Sequence, residues 1–141
     1  MQRTRQTPAG LSDVEEYIHD EMNDSAYYAR LAELAPDTRI RSILLEISKD
    51  DLSHAESLTD YYAEYMRCAP KTHVETPYIP DFMTGIEARI EAETGDMKKY
   101  AEKITCTNDQ CLKQMLYIIQ TNEARHAIKL LFICAIKEGM M

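Results

Sequence analysis

A fixed offset of 72 residues lays the second half of this chain over the first without a gap. Glu21 falls on Glu93, Tyr28 on Tyr100, Asp51 on Glu123 and His54 on His126. The apolar pairs Ile18/Ile90, Leu44/Leu116, Ile47/Ile119 and Leu58/Leu130 keep the same register, as do Asp24/Asp96 and Asp37/Asp109. Such a repeat predicts two copies of one supersecondary unit that bury a common face. The copies should be related by a pseudo-twofold axis.

Local signals make each copy a helical hairpin. Four glycines and five prolines are few breaks for 141 residues, and β-branched alternation is absent. Ser12-Asp-Val-Glu15 has the capping-box pattern and predicts the start of helix one, which should reach about Ala35. Pro36 suits the first turn of helix two, which runs to about Arg67. Asp81 is the expected cap of helix three, ending near Thr105. Thr107-Asn108-Asp109 should cap helix four, which continues nearly to the C-terminus. Residues 12–67 and 82–139 are then two antiparallel hairpins with short turns, after an extension at 1–11. The 68–81 segment between them contains Pro70, Pro77 and Pro80. Fourteen extended residues reach roughly 45 Å, more than the roughly 36 Å of a 24-residue helix. The segment can therefore cross the bundle lengthwise. The expectation is an all-α single domain, a four-helix bundle with one long crossover, the ferritin-like connectivity.

Composition removes several function classes. A net charge of −8 argues against nucleic acid or an anionic membrane as partner. No apolar run approaches the roughly 20 residues of a membrane helix, and the N-terminus lacks the apolar core of a secretory signal. A cytoplasmic chain is expected, with Cys68, Cys106, Cys111 and Cys134 reduced. No Cys-x-x-Cys pair occurs, so no rubredoxin-type site is expected. Cys106 and Cys111 flank CTNDQC, the one stretch where a local disulfide is conceivable; Cys134 reads as a small buried hydrophobe.

Chemistry enters through breaks in the apolar stripes. Each helix carries a seam at alternating steps of four and three. Helix two reads Ile40, Leu44, Ile47, Asp51, His54, Leu58, Tyr61, Tyr65; helix four reads Leu112, Leu116, Ile119, Glu123, His126, Leu130, Ile133. Helix one places Glu21 and then Tyr28 on its seam, and helix three places Glu93 and then Tyr100. Four carboxylates and two imidazoles thus face one interior. Burying unpaired carboxylates costs several kcal/mol each. Two divalent cations would neutralise four negative charges. Glu16 and His19 also have the acid-x-x-His spacing, but His19 lies about 200° around the helix from Glu21 and has no counterpart in the repeat, so it reads as surface.

These residues resemble the rubrerythrin-like branch of the ferritin-like di-iron carboxylate superfamily over about residues 12–137. The motifs are Glu21 with Tyr28, Asp51-Leu-Ser-His54, Glu93 with Tyr100, and Glu123-Ala-Arg-His126. A Glu from two helices and Glu-x-x-His from the other two is the di-iron pattern. The resemblance implies two iron ions, with manganese as the alternative. It implies metal ligation by Glu21, Asp51, His54, Glu93, Glu123 and His126, with Asp51 and Glu123 bridging. Tyr28 and Tyr100 would donate to the bridging carboxylates. Asp51 is one methylene shorter than the family's Glu, which predicts a weaker metal at Glu21 and His54. Asp96 stands where the family carries an additional Glu.

The implied function is an oxidoreductase acting on peroxide or dioxygen, a non-haem di-iron peroxidase or ferroxidase. An external electron donor and a homodimer are expected partners. The alternatives are an iron-binding or storage subunit, and a structural bundle whose metal site is vestigial.

Overall fold

The computed structural model describes residues 10–139 and consists of four helices, with no strand among those residues. They are α1 (Leu11–Glu33), α2 (Thr38–Met66), α3 (Phe82–Thr105) and α4 (Gln110–Lys137). α1 pairs with α2 and α3 with α4 as two hairpins.

The caps follow from short acidic side chains. Asp37, Asp81 and Asp109 are extended residues whose carboxylates accept from Ile40, Thr84 and Leu112 N–H respectively. Asp37, not Pro36, therefore opens α2, and Pro36 stands before the cap. The capping box expected at Ser12 is not made. α1 begins a residue earlier, behind Gly10, whose φ of 92° favours glycine, and no side chain caps it. Glu15 instead accepts a hydrogen bond from the Tyr62 hydroxyl at 2.6 Å, a tertiary contact. α1 also stops at Glu33, short of Ala35.

Cross-helix pairs fix the directions. Tyr62 on Glu15 and Ser25 on Ser48 make α1 and α2 antiparallel. Lys103 on Asp13 (3.3 Å), Lys99 on Asp20 (3.2 Å) and Arg89 on Asp24 (3.2 Å) make α1 and α3 antiparallel as well. The end of α2 and the end of α3 both lie beside the start of α1. The chain leaving Met66 must therefore travel the length of the bundle to begin α3. Asn23, at the middle of α1, holds this crossover with both edges of its amide. Its Nδ2 donates to His73 O and its Oδ1 accepts from Glu75 N, each at 2.9 Å. Asn23→Ala should lower stability by about 1–2 kcal/mol, read from the denaturant midpoint with an unchanged m-value.

The core is divided in two. One apolar cluster is built from Leu11, Val14, Ile18, Leu58, Leu112, Leu116 and their neighbours. The other contains Leu31, Ile40, Leu44, Ile86, Leu130 and Ile133. Between them lies a polar layer. The four cysteines are free, and Cys106 and Cys111 are exposed. No disulfide bridges that turn; Cys134 is only half-buried. No helix among the described residues is long and apolar enough to cross a membrane.

Candidate metal centre

The polar layer is made of the seam residues. Asp51 and Glu93 are 0% exposed, Glu21 and Glu123 1%, His126 2% and His54 7%. Their donor atoms form two groups, Glu21–Asp51–His54–Glu123 and Asp51–Glu93–His126, within each of which all ligand atoms lie within 4.8 Å of one another. Asp51 belongs to both. Glu123 belongs with His54, not with the imidazole of its own helix.

Both histidines point Nδ1 inward. His54 Nδ1 is 3.4 Å from Glu21 and 3.7 Å from Asp51. His126 Nδ1 is 3.7 Å from Asp51 and 3.8 Å from Glu93. Both oxygens of Asp51, both of Glu123, Glu93 Oε2 and His126 Nδ1 are buried without a hydrogen-bond partner. Native interiors hold few such atoms. Their convergence on one space means that these carboxylates and imidazoles could hold metal ions.

Without a cation the cluster holds protons. Burial, together with the charges of Glu21, Glu93 and Asp24, raises Asp51 well above the carboxylate range. Burial and Glu93 do the same to Glu123. Burial pushes Glu93 up too, but the neighbouring His126 and Glu123, the Tyr28 hydroxyl and the Arg89 charge outweigh it and bring Glu93 down to about 2. Burial lowers His126, yet Glu93 and Asp50 leave it raised overall.

The tyrosines exchange across the pseudo-twofold. Tyr28 OH donates to Glu93 at 2.5 Å and Tyr100 OH to Glu21 at 3.2 Å. They serve the α1 and α3 glutamates, not a carboxylate of α2 or α4. The reason is geometric: α1 and α3 are antiparallel neighbours, so a residue seven beyond one glutamate lies opposite the other. Both hydroxyls are raised well above their ordinary value, chiefly by burial, and remain donors. Asp96 is half-buried, 3.8 Å from Lys99, and outside both ligand groups. Glu16 is exposed, and His19 meets Asp20 at 3.6 Å near the surface.

Sequence reasoning missed the residues that hold the outer imidazole nitrogens. His126 Nε2 lies 2.9 Å from Asp50 Oδ2, and His54 Nε2 lies 2.7 Å from Asn122 Nδ2. Asp50 and Asn122 are themselves 72 residues apart. It also missed Arg89, buried between Asp24 and Glu93 with its guanidinium 4.9 Å from the Tyr28 ring.

Two clefts between α2 and α4 reach the histidines, and they too are copies. Ile43, Glu46, Ile47, His126 and Lys129 line one of about 350 Å³, with Asp50 and Arg125. At the offset of 72, Met115, Ile118, Ile119, His54 and Ser57 line the other, of about 50 Å³. The first is wide and charged; the second is narrow and apolar.

No family model matches the chain, and no solved structure matches it. It is similar to the Uncharacterized protein YhjR of Bacillus subtilis (strain 168), with 24% identity over 130 residues, 91% of this chain and 88% of that protein.

Proposed function

We propose that this chain is a di-metal carboxylate protein of rubrerythrin-like type, an oxidoreductase acting on peroxide or dioxygen with two iron ions, or manganese in their place. The observation that supports it most is the pair of buried ligand groups sharing Asp51, with their unpartnered atoms turned inward. Glu21, His54 and Glu123 would hold one ion and Glu93 and His126 the other, with Asp51 between them. When bound, the metals supply electrons to the oxidant by cycling between two oxidation states.

The protein's own part is positioning. Tyr28 and Tyr100 fix one oxygen of Glu93 and Glu21 and so set the direction of those carboxylates. Arg89, 3.4 Å from Glu93, supplies a fixed positive charge beside the layer. The apolar clusters above and below exclude water. The wide cleft gives small hydrophilic reactants an approach to the His126 end.

The test is to load the metal-free protein anaerobically with Fe(II) and mix it with peroxide or with dioxygen, following oxidation by absorbance. Oxidation of both equivalents, with repeated turnover once a reductant is added, is expected. Retention of Fe(II) through both treatments would leave binding as the function. A large hollow assembly by light scattering would favour storage.

A further inference from the structure

The two copies of the half-site differ in the atom that holds each imidazole, and this difference sets an order of filling. It rests on the di-metal reading above. Asp50 is a carboxylate and only accepts, so His126 Nε2 carries the proton and donates at 2.9 Å. The lone pair for a metal is then on Nδ1, which is buried, unpartnered and directed at Asp51 and Glu93. Such a carboxylate–imidazole pair fixes the tautomer and increases the ligand's basicity.

His54 has no such partner. Asn122 turns its Nδ2 to His54 Nε2 at 2.7 Å, while its Oδ1 accepts from Arg125 at 3.1 Å. In this arrangement Nε2 of His54 accepts, and its proton lies on Nδ1, the atom a metal would need. To bind there, Asn122 must turn its amide over and lose Arg125, or yield its contact with His54. Access runs the same way. The cleft beside Asp50 and His126 has about 350 Å³, and its copy beside His54 only about 50 Å³.

We infer that the Asp51–Glu93–His126 half-site takes up the first divalent cation and that Asp50 is the positioning residue that prepares it. The Glu21–His54–Glu123 half-site fills second and more weakly.

The experiment titrates metal-free wild type, Asp50→Asn and Asn122→Asp with Co(II), by calorimetry and by the visible Co(II) bands. The wild type should bind in two resolved steps. Asp50→Asn should weaken the first step about 10- to 100-fold and merge it with the second. Asn122→Asp should tighten the second. Nitrogen NMR of the metal-free proteins adds a readout that a merely structural role would not move. His126 should be protonated at Nε2 in the wild type and lose that preference in Asp50→Asn. Asn122→Asp keeps the question open to test if Asp50→Asn fails to fold. A first step unchanged within about twofold in Asp50→Asn, in a chain that binds two Co(II), would overturn this inference and leave the di-metal reading standing. A wild type that binds no Co(II) would overturn both.

Discussion

Metal-free protein is expected to melt about 10 °C below the metal-loaded form, and the gap should widen as pH rises from 5 to 8. Each site occupied at 100 times its dissociation constant contributes about 2.7 kcal/mol, and a chain of this size gains a few degrees per kcal/mol. The pH trend follows from the cluster. Asp51 and Glu123 are raised, and so is Asp24, from 3.8 to about 7. Burial is the leading cause at Asp24, joined by Glu21, Asp96 and Glu93, and together they outweigh Arg89. A carboxyl raised in the folded state binds more protons there than in the unfolded chain. Its contribution is full below pH 4 and is lost as pH climbs through the folded value. His126 is also raised and acts with the same sign above about 6.5. Glu93, lowered to about 2, has the opposite sign, but its window lies below its ordinary 4.5. Metal replaces the protons and removes the loss. Thermal scans of both forms across this range check it; a metal-free protein that gains stability between pH 5 and 8 would contradict it.

Asp51→Leu should abolish binding of both metals and at the same time stabilise the metal-free chain. Asp51 is the residue common to both ligand groups, so its loss removes a ligand from each. Neither of its oxygens has a hydrogen-bond partner, so no hydrogen bond in the metal-free fold offsets its burial. Leucine has nearly the same branched shape. Removing a buried carboxyl with unmade hydrogen bonds in favour of a packed apolar side chain gains about 1–3 kcal/mol. Denaturant unfolding of the two metal-free proteins, paired with metal analysis, reads both effects. A destabilised variant would show that Asp51 serves the fold, which is the vestigial-site alternative.

The two effects separate what the sequence could reveal from what it could not. The seams were legible because each residue's face depends only on helical spacing, and the repeat pairs corresponding residues without knowledge of packing. Partner choice was not. That Tyr28 meets Glu93, and that Glu123 groups with His54, depends on how two hairpins face each other across an axis. The short side chain of Asp51 therefore does not single out the metal at Glu21 and His54, because Asp51 reaches both groups. Asp50 and Asn122 stand one residue before each helix-two and helix-four acid, off the apolar seam. Their signal was the offset of 72 itself, which lays one on the other. Arg89 had no such signal, since its counterpart is Tyr17. The Ser12 cap is not made because α1 starts at Leu11 behind Gly10, which puts Ser12 inside the helix, while Glu15 meets Tyr62 between helices.

The central claim is that six buried side chains hold two divalent cations, and metal stoichiometry tests it most directly. Metal-free chain, titrated anaerobically with Fe(II) or Mn(II), desalted and analysed for metal, should retain close to two ions. The six-fold variant Glu21→Gln, Asp51→Asn, His54→Gln, Glu93→Gln, Glu123→Gln, His126→Gln should retain none. Retention by the wild type of less than about half an ion per chain, in folded protein, would contradict the account.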